Sequence, residues 1–192
     1  LEIDFSEAEK EKTLSGEGSA LINQIMRSIE EEVKKAESLD YLTGLLGRKE
    51  GEKKIVKAMR AKHGCLAFVD LDSLKRTNDT MGHLAGDYAL KTVGEVLSKY
   101  GENAIVARLG GDEFVLWMSG NGDAEDDKMR VWEIFESTKF HYSEKEVNME
   151  IHCSAGVVFV DETITCFDEL YEKADKAMYQ AKGAGRNTIV IS

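Results

Sequence analysis

The run from Cys65 to Asp72, CLAFVDLD, constrains this chain more than any other segment. Bulky apolar residues lead directly into two carboxylates, so the segment reads as a strand buried along its stem with acids at its carboxyl end. Asp70 and Asp72 are two apart, and in a regular strand they point to the same face. Paired carboxylates at such a place suit Mg²⁺, a hard cation usually held by one or two carboxylates together with substrate phosphates. Asp after a strand also frequently caps the next helix, and for Asp72 capping is the favoured reading.

A second acidic strand end follows. AIVARL and FVLWM flank GGDE, a pattern that predicts a β-hairpin with Asp112 and Glu113 in a turn opened by Gly110 and Gly111. Two glycines permit positive φ and let a ligand approach the backbone closely. Alone, GGDE is only a good turn; its weight comes from the acids at 70 and 72.

The remaining pattern supplies helices around these strands. A polar helical stretch is expected near 50 to 62, a helix at 84 to 100 with Tyr88, Val93, Val96 and Leu97 as candidate core, and a further helix at 126 to 138. MEIHCSAGVVFV at 149 to 160 reads as one strand, FDELYEKADKAMYQAK at 167 to 182 as a helix and NTIVI as a last strand. The hairpin makes neighbours antiparallel, so the order predicts α/β architecture with a mixed sheet and helices packed on it.

The amino-terminal part differs in character. Residues 1 to 20 are polar and acidic, and Gly16 and Gly18 mark a weakly structured lead-in. Between Leu21 and Ser38, Ile22, Met26, Ile29, Val33 and Ala36 recur at spacings of four and three and form one helical stripe. Fewer than three heptads fit a short coiled coil and an amphipathic helix lying on its own domain equally well. The expected division is residues 1–38 as lead-in and amphipathic helix, and 39–192 as the domain that carries the acidic strand ends. Residue 1 is Leu, so a longer protein with upstream domains is expected.

A net charge of −11 argues against a broad nucleic-acid surface, which needs clustered Lys and Arg, yet permits a small anionic substrate served by a few local cations and a metal. Lys75, Lys182 and Arg186 stand near predicted element ends where they could neutralise phosphate; singly, each would more often be a solvated surface charge. Cys65, Cys153 and Cys166 are widely spaced and read as reduced core residues, which favours a cytosolic compartment. No apolar run approaches the roughly 18 residues of a membrane span, so no membrane contact is expected of this portion, although a longer parent could be anchored.

Four segments together resemble the GGDEF family of diguanylate cyclase domains. DYLTGLLGR at 40 to 48 is similar to the family's DxLTxLxNR, and DLDSLKRTNDTMGHLAGD at 70 to 87 to its DxDxFKxxNDxxGHxxGD. RLGGDEF at 108 to 114 carries the signature, and ADKAMYQAKGAGRN at 174 to 187 is similar to ADxALYxAKxxGRN.

The resemblance implies an α/β (α+β) fold like polymerase palm domains and class III nucleotide cyclases, with a central mixed sheet of five or so strands. It implies condensation of two GTP into cyclic di-GMP and two pyrophosphates across a homodimer. Mg²⁺, or Mn²⁺ in its place, would be held by Asp70, Asp112 and the carbonyl of Leu71, with Glu113 in metal or proton handling. Asn78 and Asp87 would read guanine with His83 nearby, and Lys75, Lys182 and Arg186 would bind phosphates. Either Asp112 or Glu113 would assist the 3′-hydroxyl, and Phe114 would pack.

Gly47, Leu74 and Thr77 depart from the family's Asn, Phe and larger aliphatic residue, and altered stability or rate is expected from them rather than loss of chemistry. Where many relatives carry an RxxD product-inhibition site, this chain has Gly101, Glu102, Asn103 and Ala104, so no inhibition through that site is expected. The rival readings are a regulatory module that binds GTP or cyclic di-GMP without turnover, and an enzyme making a different cyclic nucleotide.

Overall fold

The computed structural model describes residues 6–99, 104–121, 123–144 and 147–192. Residues 101–103 of the expected inhibitory-site position, and the side chain of Ala36, lie outside them. The chain divides into two compact units, Leu1–Ser38 and Leu39–Ser192.

The first unit carries helix α1, Ser6–Glu37. This corrects the expected weakly structured lead-in: residues 6 to 20 are helical, because the Glu, Lys, Ala and Leu around the two glycines are strong helix formers. Leu21, Ile22, Ile25, Met26, Ile29 and Val33 are each about half exposed or more.

The second unit is built on a mixed sheet. Its strands are β1 (Leu46–Gly47), β2 (Cys65–Leu71), β3 (Ala104–Gly110), β4 (Glu113–Met118), β7 (Cys153–Phe159) and β8 (Ile189–Ile191), in the order β1-β3-β4-β2-β7-β8. β2 runs antiparallel to both β4 and β7, while the β1–β3 and β7–β8 pairs are parallel. β5 (Phe140–Glu144) and β6 (Val147–Ile151) form a separate antiparallel ribbon.

β2 is central because every residue in it is buried. Cys65, Ala67, Val69 and Leu71 enter one core with Leu90, Val93 and Leu97 of α4 (His83–Lys99) and Val131, Ile134 and Phe135 of α5 (Ala124–Ser137). Leu66 and Phe68 enter the other, with Ile55 of α2 (Arg48–Ala58) and Leu170, Ala174 and Met178 of α6 (Phe167–Gly183). Each such large side chain contributes about 1.5–3 kcal/mol, enough to hold a strand between two helical layers. α6 lies tight on β7: a Cβ on Gly156 would collide with backbone atoms of Met178 and Ala174.

Several sequence expectations need correction. Tyr88 is 50% exposed, because the buried face of α4 is made by Ala85, Gly86, Ala89, Leu90, Val93, Gly94 and Leu97; Val96 is half-buried. The segment 149 to 160 is two strands interrupted at His152, since β6 pairs with β5 while β7 returns to the main sheet. Cys65 and Cys153 are buried free thiols, but Cys166 is exposed, at the amino-terminal cap of α6. Between β2 and α4 a separate short helix, α3 (Leu74–Met81), turns the chain.

Candidate active site

The antiparallel packing of β2 against β4 brings the two acidic strand ends together. Asp70 pairs with Glu113 across the ladder, and the Leu71 N–H donates to the carbonyl of Asp112 at 3.0 Å. The hairpin closes with Gly110 opposite Glu113; Gly110 (φ 129°) and Gly111 (φ 57°) hold backbone conformations that side chains rarely adopt, and the ladder shifts register between Arg108 and Gly110.

Asp70 is 3% exposed, and Lys182, from the last turn of α6, places Nζ 2.6 Å from its Oδ2. Burial pushes the Asp70 carboxyl up to about 6; the charges of Asp112 and Asp72 add to the rise, and the hydrogen bond and charge of Lys182 oppose it. A buried carboxylate whose proton affinity is raised by its desolvation and by a neighbouring acid is a donor that a divalent cation relieves. Among the described residues no cluster of three or more His, Cys, Asp or Glu forms a self-sufficient metal site. Asp70 and Asp112, at neighbouring strand ends, are oxygen donors of the kind that suit an ion completing its shell with substrate oxygens, as Mg²⁺ does.

Asp72 does not cap α3, contrary to the sequence reading. The capping residue is Ser73, in left-handed conformation (φ 62°), with no side-chain cap bond. The Asp72 side chain, fully buried, instead accepts from Ser154 Oγ (2.8 and 3.0 Å) and the Asn187 N–H (2.9 Å), and stands 2.8 Å from His152 Nδ1. Chain geometry explains the difference: β2 ends at Leu71, and the Asp72 N–H turns to the carbonyl of His152 at 2.9 Å, which aims its carboxylate at β7.

Asn78 of α3 lies against Gly86 of α4, the residue before Asp87. Gly86 faces the Asn78 side chain so closely that a Cβ there would strike Oδ1 and approach Leu74 Cδ1 at 3.1 Å. Asn78 Oδ1 is buried without a hydrogen-bond partner, while Asp87 is half-buried and His83 exposed. Lys75 is exposed in the first turn of α3. Arg186 is half exposed, with Nε 3.9 Å from Asp72 Oδ1. Of the departures, Thr77 is buried with its hydroxyl on the carbonyl of Ser73, Leu74 packs against the core, and Gly47 is the amino-terminal cap of α2 without a side-chain bond.

Asp40, Arg48 and Arg108 support the site without being among the residues that the sequence reading assigned to it. Arg108 forks between the Asp40 carboxylate (3.0 and 3.2 Å) and the carbonyl of Gly111 (3.2 and 2.7 Å). Burial alone would raise the Asp40 carboxyl, but hydrogen bonds from Thr43 and Arg108 outweigh it and hold the group below its ordinary value. Arg48 donates to the carbonyl of Leu109 at 3.1 Å and reaches Glu113 Oε2 at 3.7 Å. Asp40, Arg48 and Arg108 all lie inside the quoted motifs, so the signal was present; His152, a polar residue within an apolar run, was the available sign of a strand break.

A family model described as "Diguanylate cyclase, GGDEF domain" matches residues 37–188. The chain is 36% identical over 159 residues to diguanylate cyclase DgcS of Shewanella oneidensis, covering 80% of this chain and 52% of that protein. It is 30% identical to diguanylate cyclase DgcP of Pseudomonas aeruginosa, covering 97% of this chain and 30% of that one. The chain thus spans about half or less of these relatives' length. Among solved structures, the coiled coil and GGDEF domain of DgcB from Caulobacter crescentus, in complex with c-di-GMP, superposes with TM-score 0.80 at 25% identity, covering 94% of this chain and 98% of that one. The diguanylate cyclase SiaD of Pseudomonas aeruginosa, in complex with its activator SiaC, gives TM-score 0.72 at 26% identity, covering 98% and 76%.

Proposed function

The chain belongs to the family of GGDEF diguanylate cyclase domains, and on that premise we propose that it condenses two GTP molecules into cyclic di-GMP, with a divalent metal, between two copies of itself. The observation that carries this reading is the convergence of Asp70, the Asp112–Glu113 turn and Lys182 at one end of the sheet. Three segments distant in sequence supply two acids for a cation and a cation for phosphate.

Asp70 and Asp112, with the Leu71 carbonyl, are the residues that would hold Mg²⁺. When bound, the ion lowers the pKa of the attacking hydroxyl and screens the phosphate charge. Lys182, Arg186 and Lys75 bind the triphosphate. Asp87 accepts from guanine N1–H and N2–H₂, and the unpartnered Oδ1 of Asn78 supplies a further acceptor. In each half-reaction the 3′-oxygen of one nucleotide bonds to the α-phosphorus of the other, the bond to the leaving pyrophosphate breaks, and the hydroxyl proton passes to Asp112 or Glu113.

One site holds one nucleotide, so ring closure needs a second copy. The exposed stripe of Ile22, Met26, Ile29 and Val33 on α1 supports pairing of that helix with its counterpart, and an upstream sensor in the longer protein would act through it. The activity belongs in the cytoplasm, where GTP is available; among the described residues no helix is long and apolar enough to cross a membrane.

The test is product analysis by chromatography and mass spectrometry after incubating concentrated protein with GTP and Mg²⁺, beside Asp112→Ala. Cyclic di-GMP from the native chain and none from the variant supports the cyclase. GTP binding and dimerisation without product would replace it with a regulatory binding module.

A further inference from the structure

We infer that Asp72, braced by Ser154 and His152, is the positioning residue that sets the phosphate-binding loop after α6, so that triphosphate affinity depends on a carboxylate that itself touches no substrate. The inference rests on the cyclase reading only in taking Lys182 and Arg186 as phosphate ligands.

The loop is unusual in its backbone. Gly185 (φ 118°), Arg186 (φ 67°) and Asn187 (φ 48°) are successive residues with positive φ, and the two non-glycine residues keep that sparsely populated conformation only where the surroundings enforce it. The enforcement is visible on both sides. The Arg186 N–H returns to the carbonyl of Ala181 at 3.2 Å, tying the loop to α6. The Asn187 N–H donates to Asp72 Oδ2 at 2.9 Å, and the carbonyl of Thr188 accepts from the Ala155 N–H at 3.0 Å, tying it to the sheet.

Asp72 is the one charged member of this arrangement that is fully buried, and its two oxygens serve several donors at once. Oδ2 faces the Asn187 N–H, His152 Nδ1 and Ser154 Oγ; Oδ1 faces Ser154 Oγ and, at 3.9 Å, Arg186 Nε. A carboxylate only accepts, so His152 presents Nδ1–H to it. His152 sits at the break between β6 and β7, where leaving the ladder frees its ring to turn inward. An amide in place of the carboxylate would offer one acceptor and an NH₂ group pointed at other donors, leaving a buried donor unpaired.

The experiment measures binding of GTP and of guanosine, which lacks the phosphates, to the full chain and to Asp72→Asn, His152→Leu, His152→Asn and Ser154→Ala, with hydrogen exchange at the Asn187 amide. Asp72→Asn is expected to weaken GTP about tenfold, the scale of one lost hydrogen bond to a charged group, and to leave guanosine unchanged. Exchange at Asn187 should accelerate. His152→Leu should weaken GTP in the same selective way, whereas His152→Asn, which keeps a donor near the Nδ1 position, should restore it. If Asp72→Asn does not fold, the histidine and serine variants decide the matter. Equal weakening of both probes, or unchanged GTP binding with faster exchange at Asn187, would overturn the inference. A native chain that binds neither probe would sink the cyclase reading, and this inference with it.

Discussion

The ammonium of Lys182 stands 2.6 Å from Oδ2 of Asp70, joining the last turn of α6 to the buried end of β2. Burial raises the Asp70 pKa from 3.8 to about 6, so between those values the folded chain retains a proton that the unfolded chain has released. This group's contribution to stability therefore falls as pH rises from about 4 to 6. Asp70→Asn should remove that part of the slope in thermal melts taken without metal. Lys182→Ala, which deletes the opposing charge, should extend the window above pH 6.

If Asp70 holds Mg²⁺, as proposed, the ion competes with the same proton. Its stabilisation of the native chain in the presence of GTP should be present at pH 7.5 and fade below about pH 6. Calorimetry across that range checks this, and a pH-independent Mg²⁺ effect would remove Asp70 from the metal site.

Arg108 links the signature turn to the loop at Asp40 through both ends of its guanidinium. Arg108→Lys keeps the charge but not the fork, and is expected to cost about 1–3 kcal/mol in urea unfolding. Cyclase activity should fall as well, because the turn carrying Asp112 loses its tether.

Gly86→Ala places a methyl group against Asn78 Oδ1. The expected outcome is a higher KM for GTP with a well-folded protein, since the displaced group is a candidate base contact. An unchanged KM would argue that Asn78 does not meet guanine.

Gly156→Ala would set a methyl group against the backbone of α6, which cannot step aside as a side chain can. A loss of about 1–3 kcal/mol is expected, a melting temperature lower by several degrees. By contrast, Gly47→Asn should be tolerated and slightly stabilising, because the extended conformation at that cap (φ −73°, ψ 165°) suits a side-chain acceptor that glycine lacks.

The sequence exposed what local pattern controls. Cys65 to Leu71 was legible as a buried strand because its apolar residues serve two cores, and the hairpin because Gly110 and Gly111 are where the turn needs positive φ. What stayed hidden depends on distant partners. Asp72 looked like a helix cap because its neighbours in sequence permit that role, and only the packing of β7 and the loop after α6 supplies the donors that claim it. Tyr88 looked like core because the helical period alone does not distinguish it from small residues such as Ala85 and Ala89, which bring α4 close to the sheet. His152 is a weak local sign of the break, and only the pairing of β6 with β5 turns that polar residue into a strand end.

Asp72 and Asn187 are 115 residues apart. During synthesis the acid leaves the ribosome long before its backbone donor at Asn187 exists, and a nascent chain halted before His152 and Ser154 holds that charge with none of these partners. Such a contact slows folding, because a long loop must close before anything is gained. It also ties the site to the far end of the domain: the acids of the sheet end and the proposed phosphate ligands of the loop come together only once Asn187 is in place.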